Sequence, residues 1–159
     1  MKSDFPSLLK RLNDCEVDYI LVGGMAAAFH GRILSNLDCD VVVDMRTENL
    51  IRLAGVLSDF SPSFRVKFPE QAFDLSVVKN GAWDLIELNT DAGAFDCHCQ
   101  IKGLGDFTEC KERSLEADLG AFSILVLTRE ALITAKKAMG RPKDLQTVAQ
   151  LEIGGELDA

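Results

Sequence analysis

The amino-acid sequence predicts one α+β domain, with α and β segments mixed along the chain and helices packed on a mixed β-sheet. Short apolar runs with strand periodicity alternate with stretches of helical periodicity through all 159 residues. Several strands follow one another across turn-length gaps, as hairpins do, so a purely parallel sheet is not expected. We assign residues 1–127 to a core and residues 128–159 to a pair of C-terminal helices packed on it.

The first half of the chain combines helices and strands. Gly23-Gly24 breaks an apolar strand, and the Ala-rich helix that follows stops at Gly31. Thr47 is a plausible N-cap because a hydroxyl can accept a hydrogen bond from the first helical turn. The elements expected here are a helix over 4–15, a strand over 17–22, a helix over 25–30, a strand over 39–44, a helix over 48–58, a strand over 64–68 and a helix over 69–80.

The second half is richer in strands until the C-terminal helices begin. Thr128 predicts a helix start and Gly140 its end. From Gly154 onward a frayed tail is expected. The other expected elements are strands over 83–89 and 95–101, a helix over 106–113, a hairpin of 114–118 with 121–127, a helix over 129–139 and a last helix opening at Arg141-Pro142.

Composition limits the kind of protein. The net charge of −8 argues against a general nucleic-acid coat. No apolar run approaches the ~20 residues that span a bilayer, and the first residues lack the features of a signal peptide. We therefore expect a cytoplasmic protein with no membrane partner, whose five cysteines are reduced thiols.

Two aspartates mark the start of a buried strand. Asp38 and Asp40 flank Cys39 and lead into Val41-Val42-Val43. Side chains two positions apart on a strand share a face, so the two carboxylates repel each other unless a cation lies between them. Mg²⁺ suits such a pair because it prefers hard oxygen ligands. The alternative is a solvated acid pair at the rim of a sheet.

A third carboxylate is expected on another strand. Asp96 is the first candidate, and Asp84, Glu87 and Asp91 are rivals that spacing alone does not separate. The neighbouring Cys-His-Cys run does not favour zinc, because structural zinc sites use cysteine pairs with two to four intervening residues. By strand alternation its cysteines face away from the acid.

Two further features are typical of phosphate binding. Gly23 and Gly24 form a strand-to-helix turn that lets backbone approach a ligand closely. Residues 128–143 carry five basic residues against one acid, which suggests a site for a phosphorylated ligand or, alternatively, a solvated helix face. Lys136 lies off the apolar stripe of its helix, and Arg141 opens the next helix, where the dipole does not favour a cation.

These motifs resemble a known family. Residues 19–31 followed by 37–43 resemble the polymerase-β-type nucleotidyltransferase superfamily, and most closely its small bacterial branch related to abortive-infection and toxin–antitoxin nucleotidyltransferases. Residues 136–144 are similar to a Lys-x-Ala-x-Gly-Arg-x-Lys-Asp segment of those proteins. Residues 88–96 resemble the strand of the family's third acid, which favours Asp96 over Asp84.

The resemblance implies a palm-like sheet and the transfer of a nucleoside monophosphate from an NTP to a hydroxyl of RNA, such as tRNA, or of a protein. It also implies Mg²⁺ or Mn²⁺, and a toxin with an antitoxin partner. The alternative is a non-catalytic module that binds a nucleotide or a partner. Ser35 and Asn36 stand near the position of a threonine usual in the family. The implied site residues are Asp38, Asp40 and Asp96 for catalysis and metal, and Gly23, Gly24, Ser35, Lys136 and Arg141 for the nucleotide.

Overall fold

The computed structural model describes residues 4–31, 38–67, 69, 71–76 and 84–158, with residues 154–158 as backbone alone. The α-helices of this part are α1 (Phe5–Asp14), α2 (Gly23–Phe29), α3 (Thr47–Leu57), α4 (Phe107–Lys111), α5 (Arg129–Met139) and α6 (Pro142–Asp158). The strands are β1 (Tyr19–Val22), β2 (Cys39–Val43), β3 (Ser63–Phe64), β4 (Leu85–Thr90), β5 (Gly93–His98), β6 (Gln100–Ile101), β7 (Gly105–Asp106), β8 (Ser114–Asp118) and β9 (Ser123–Leu127).

Seven of these strands form one mixed sheet in the order β3-β4-β5-β2-β1-β9-β8. The pairs β2–β5 and β1–β9 are parallel, and the other neighbours are antiparallel. Strands β6 and β7 form a separate small hairpin. The mixed sheet and the α+β class are as the sequence predicts.

The central strand β2 is apolar except at one residue. In β2, Cys39 and the three valines are fully buried, and Asp40 alone is partly exposed. The core continues into α1, whose apolar stripe is fully on the buried side, and into α3. A carboxylate inside such a strand costs free energy unless it is compensated, so its presence indicates a use.

Several local predictions are confirmed. The Thr128 hydroxyl accepts a hydrogen bond from the Ala131 N–H and caps α5. Gly140 ends that helix with a φ of 71°, a left-handed conformation that glycine adopts without strain. The hairpin over 114–127 forms as expected. The cysteines are free thiols, with Cys39 and Cys97 buried.

Other local predictions are wrong. Thr47 is the first residue of α3 rather than its cap; Arg46 holds the cap position and its N–H donates to Asp44. The helix expected after Pro69 does not begin there, because Ala72 pairs with Ser63 as a β-bridge. Residues 70 and 77–80 of that expected helix lie outside the described part. At the C-terminus, α6 continues to Asp158 where a frayed tail was expected.

Among the described residues, no helix is both long and apolar enough to cross a membrane.

Candidate active site

Three carboxylates lie in one row across the sheet. Asp40 on β2 is opposite Asp96 on β5, and Asp96 is opposite Glu87 on β4. Adjacent strands are about 4.8 Å apart, so neighbouring members of this carboxylate row are close. Asp38 lies just before β2 and is exposed. It stands two positions before Asp40, outside the strand itself.

The turn between β1 and α2 packs directly against this row. Val22 is opposite Asp40 in the β1–β2 register, so Gly23 follows at the row's end. Gly23 has a φ of +66°, and a Cβ atom there would lie 2.8 Å from both Cβ and Oδ2 of Asp40. Both the backbone conformation and the space therefore require glycine.

A cleft of about 920 Å³ opens beside the row. Its walls are the β1–α2 turn, the β6–β7 hairpin and the facing sides of α5 and α6. Among the predicted site residues it brings together Gly23, Gly24, Asp40, Lys136 and Arg141. Asp38 and Asp96 are not on its lining, although Asp96 is the immediate neighbour of Asp40.

The α5–α6 corner is built around a buried acid. Asp144, 1% exposed, accepts hydrogen bonds from the backbone N–H of Arg141, from Nε at 2.5 Å and from Nη2 at 3.1 Å. Nζ of Lys136 lies 3.4 Å from the same carboxylate. These bonds, chiefly those from Arg141, lower the pKa of Asp144. Asp144 therefore stays ionised and holds both cations at the cleft.

Asp96 sits in a different electrostatic setting. Burial raises its pKa to about 6; the hydrogen bond and charge of Arg65 oppose the rise, while the charges of Asp40 and Glu87 add to it. Nη2 of Arg65 lies 2.5 Å from Oδ1 of Asp96. Asp40 is contacted by Nε2 of His98 at 2.9 Å from its Oδ1. Of these two contacts, the one from Arg65 brings a fixed positive charge to the row.

The row partly fits a divalent cation. Asp40 and Asp96 offer hard oxygen donors on one face, and a cation would relieve the repulsion from Asp40 that adds to burial in raising the pKa of Asp96. Yet the described residues contain no group of three His, Cys, Asp or Glu side chains arranged to hold a metal. The pair therefore fits as part of a ligand set completed by substrate phosphates and water, which is how Mg²⁺ is usually held.

The rival acids lie in three different places. Glu87 joins the carboxylate row. Asp84 is exposed, lies near the thiol of Cys99 and lines the cleft, and Asp91 lies in the β4–β5 turn. Ser35, predicted to contact the nucleotide, falls in residues 32–37, outside the described part. The adjacency of Asp96 to Asp40 accords with the choice that the family resemblance made.

Two important residues escaped the sequence reasoning. No sequence pattern points to Arg65, because its contact with Asp96 crosses a neighbouring strand and joins residues 31 positions apart in the sequence. A sequence pattern does point to Asp144. It follows Arg141 by three positions in the first turn of a helix, where an acid is favoured and can pair with that arginine.

No family model and no curated protein matches this chain. Solved structures match its fold. One is a proposed nucleotidyltransferase from Thermotoga maritima, at 18% identity and a TM-score of 0.61 over 92% of this chain and 88% of that one. Another is the lincosamide antibiotic adenylyltransferase LnuA with lincomycin bound, at 16% identity and a TM-score of 0.65 over 96% and 98%. A third is ANT(2″)-Ia in complex with adenylyl-2″-tobramycin, at 14% identity and a TM-score of 0.61 over 96% and 88%.

At these identities the likeness concerns the fold. The chain therefore has the nucleotidyltransferase fold, and the chemistry has to be argued from its own residues.

Proposed function

We propose that this protein is a metal-dependent nucleotidyltransferase that moves a nucleoside monophosphate from an NTP to a hydroxyl group. One observation carries the proposal: Asp40 and Asp96 lie in register on adjacent strands beside the Gly23 turn, and the cleft at that point is also lined by Lys136. Paired acids, a close-approach glycine and a cation are the parts that phosphoryl chemistry requires.

Each residue has a role in this scheme. Asp40 and Asp96, with Asp38, supply oxygen ligands for Mg²⁺ or Mn²⁺, and the metal supplies charge stabilisation at the phosphates. The backbone of Gly23 and Gly24 lets the triphosphate bind close to the carboxylate row. Lys136 and Arg141 compensate phosphate charge from the opposite wall of the cleft. We retain Ser35 as a proposed nucleotide contact.

The transfer step is a substitution at the α-phosphorus. The acceptor oxygen forms a bond to that phosphorus, the bond to the β-phosphate oxygen breaks, and pyrophosphate leaves. The acceptor proton passes to the carboxylate of Asp96. In the metal-free protein the pKa of Asp96 is raised to about 6, mainly by burial, so the carboxylate is ionised at neutral pH and can accept a proton.

For the acceptor we infer a hydroxyl of RNA, tRNA included, or of a protein. This follows the sequence resemblance, and with it we propose a toxin role in the bacterial cytoplasm, restrained by an antitoxin protein. A small hydroxylated molecule is the competing acceptor. LnuA is a lincosamide antibiotic adenylyltransferase, and ANT(2″)-Ia was solved with an adenylylated tobramycin.

A non-catalytic nucleotide-binding module is the second candidate function. The observation that favours it is the occupation of one oxygen of Asp40, the acid on the cleft lining, by Nε2 of His98. If this contact persisted with nucleotide bound, Asp40 would have one oxygen fewer for a metal and the site would bind nucleotide without transferring it.

The test is a label-transfer assay with each α-³²P-labelled NTP and Mg²⁺ or Mn²⁺. The acceptor panel is tRNA, total RNA, the protein itself, a protein lysate, lincomycin and tobramycin. We expect one NTP to label one acceptor class, and we expect EDTA and Asp40→Asn each to abolish labelling. Nucleotide binding without transfer to any acceptor would instead support the non-catalytic module. Labelling of an antibiotic alone would reject the RNA or protein acceptor and the toxin role.

A further inference from the structure

Arg65 is the one basic side chain that contacts the third acid in the described part of the chain. It follows β3 directly, and its backbone N–H donates to the carbonyl oxygen of Glu87 at 3.0 Å. Phe64 beside it is fully buried and anchors the chain at the sheet edge. The base of the Arg65 side chain is therefore fixed to β4.

The guanidinium is held at three points. Nη1 donates to the carbonyl oxygen of Leu88 at 2.6 Å, and Nη2 donates to Oδ1 of Asp96 at 2.5 Å. Oε2 of Glu87 lies 3.7 Å from Nη2. Because the guanidinium is planar and its donors are fixed relative to one another, these contacts set its orientation as well as its position.

The contacts distinguish the two oxygens of Asp96. Oδ1 is used by Arg65, while the described residues supply no hydrogen-bond donor to Oδ2. The Asp96 side chain has little freedom to change its rotamer, because it is only 11% exposed. One oxygen is thus fixed, and the other remains for chemistry in the row.

We propose that Arg65 is a positioning residue for nucleotidyl transfer: it fixes the rotamer of Asp96 so that Oδ2 is presented to the reacting groups beside Asp40. The inference rests on the proposed function. Arg65 is not on the lining of the cleft that holds Gly23 and Lys136, so it acts through Asp96 rather than on the NTP. Misplacement of a reacting group by about 1 Å can cost a hundredfold in rate, so loss of this support is expected to lower kcat.

The kinetic test compares Arg65→Met with Arg65→Lys and with the matched control Arg11→Met. Arg11 forms an exposed ion pair with Asp59, far along the chain from the row. We expect Arg65→Met to lower kcat at least tenfold with KM for NTP changed less than twofold. Arg65→Lys keeps the charge but loses the planar fork, so an intermediate kcat is expected. Arg11→Met should match the parent.

A second measurement needs no activity. Urea unfolding of metal-free protein in EDTA is carried out for Arg65→Met, Asp96→Asn and the double variant. Because the two side chains share a short contact, their effects are expected to be non-additive. Arg65→Met combined with Asp59→Asn should be additive. Additive effects for the Arg65 and Asp96 changes would overturn the proposal.

The outcomes separate this inference from the proposed function. If the parent transfers nucleotide and Arg65→Met keeps its kcat, Arg65 is only structural and the inference is wrong while the function stands. A raised KM for NTP with unchanged kcat in Arg65→Met would mean that Arg65 binds the nucleotide, and this too would overturn the inference. If Arg65→Met does not fold, an unchanged kcat in Arg65→Lys overturns it. A parent that transfers nothing refutes the function and this inference together.

Discussion

Gly23 and Asp40 are packed so closely that a Cβ atom on residue 23 would lie 2.8 Å from Oδ2 of Asp40. The turn after β1 is therefore fitted to a carboxylate on the neighbouring strand. Since the same turn lines the cleft, any group bound there meets the acid and the glycine backbone together.

Gly23→Ala should lose both stability and transfer activity. A left-handed φ costs a non-glycine residue about 1–2 kcal/mol, and the added methyl group must also displace Asp40. Gly120→Ala is the matched control: its φ is +94°, but no atom lies within 4 Å of the added Cβ. Urea unfolding should show a lower free energy of unfolding for both variants. Label transfer should be lost in Gly23→Ala and kept in Gly120→Ala. Equal activity of the two variants would disprove the close fit.

Lys136→Ala should weaken NTP binding about tenfold, or about 1.4 kcal/mol, because a charge facing the phosphates is lost. Its fold should change little, since Arg141 continues to pair with Asp144. Lys137→Ala removes the neighbouring lysine, which is 59% exposed and pairs with Glu152 instead. Titration calorimetry should show parent-like NTP affinity for that control. If both variants bind NTP like the parent, α5 presents only a solvated basic face.

Asp96 should make stability pH-dependent in metal-free protein. Its pKa is raised to about 6 in the folded state, mainly by burial, from an ordinary 3.8. Between pH 4 and 6 the folded state then holds more protons than the unfolded state, so the free energy of unfolding falls as pH rises. The difference corresponds to about 3 kcal/mol as an upper limit, at about 1.36 kcal/mol per pKa unit.

Urea unfolding in EDTA at pH 4 and pH 8 tests this for the parent and Asp96→Asn. The asparagine variant should lose less stability between the two pH values, and it should be at least as stable as the parent at pH 8. A pH dependence identical to that of the parent would show that Asp96 titrates normally.

Mg²⁺ should bind weakly in the absence of NTP. The described residues provide two adjacent carboxylates rather than a full ligand set, and Mg²⁺ gives up its water reluctantly. Titration calorimetry should detect millimolar or weaker binding alone and much tighter binding with a non-reactive NTP analogue. Micromolar Mg²⁺ affinity without nucleotide would mean that the protein forms a complete site by itself.

The features that the sequence predicts correctly depend on residues a few positions apart. The cap at Thr128, the helix end at Gly140 and the position of Asp40 at the rim of a buried strand each follow from local spacing. The proposal of Asp96 as third acid depended on family resemblance, because alternation alone left Glu87 equally possible. Glu87 does occupy the same row, one strand further out.

The errors have a tertiary cause. Pro69 is a local helix-start signal, but pairing of Ala72 with Ser63 extends the chain there instead. The contact of Arg65 with Asp96 joins residues 31 positions apart and depends on the order of β3, β4 and β5. No spacing rule within a single strand could have found that arginine.

The central claim is that this chain catalyses attack at the α-phosphorus of an NTP. The most direct measurement runs parallel reactions with the same NTP labelled at the α- or the γ-phosphate, with Mg²⁺ and the acceptor panel, for the parent and Asp40→Asn. We predict that the α label moves to the acceptor while the γ label leaves as pyrophosphate, in equal amounts, and that Asp40→Asn does neither. Transfer of the γ label, or undiminished α transfer by Asp40→Asn, would contradict the account.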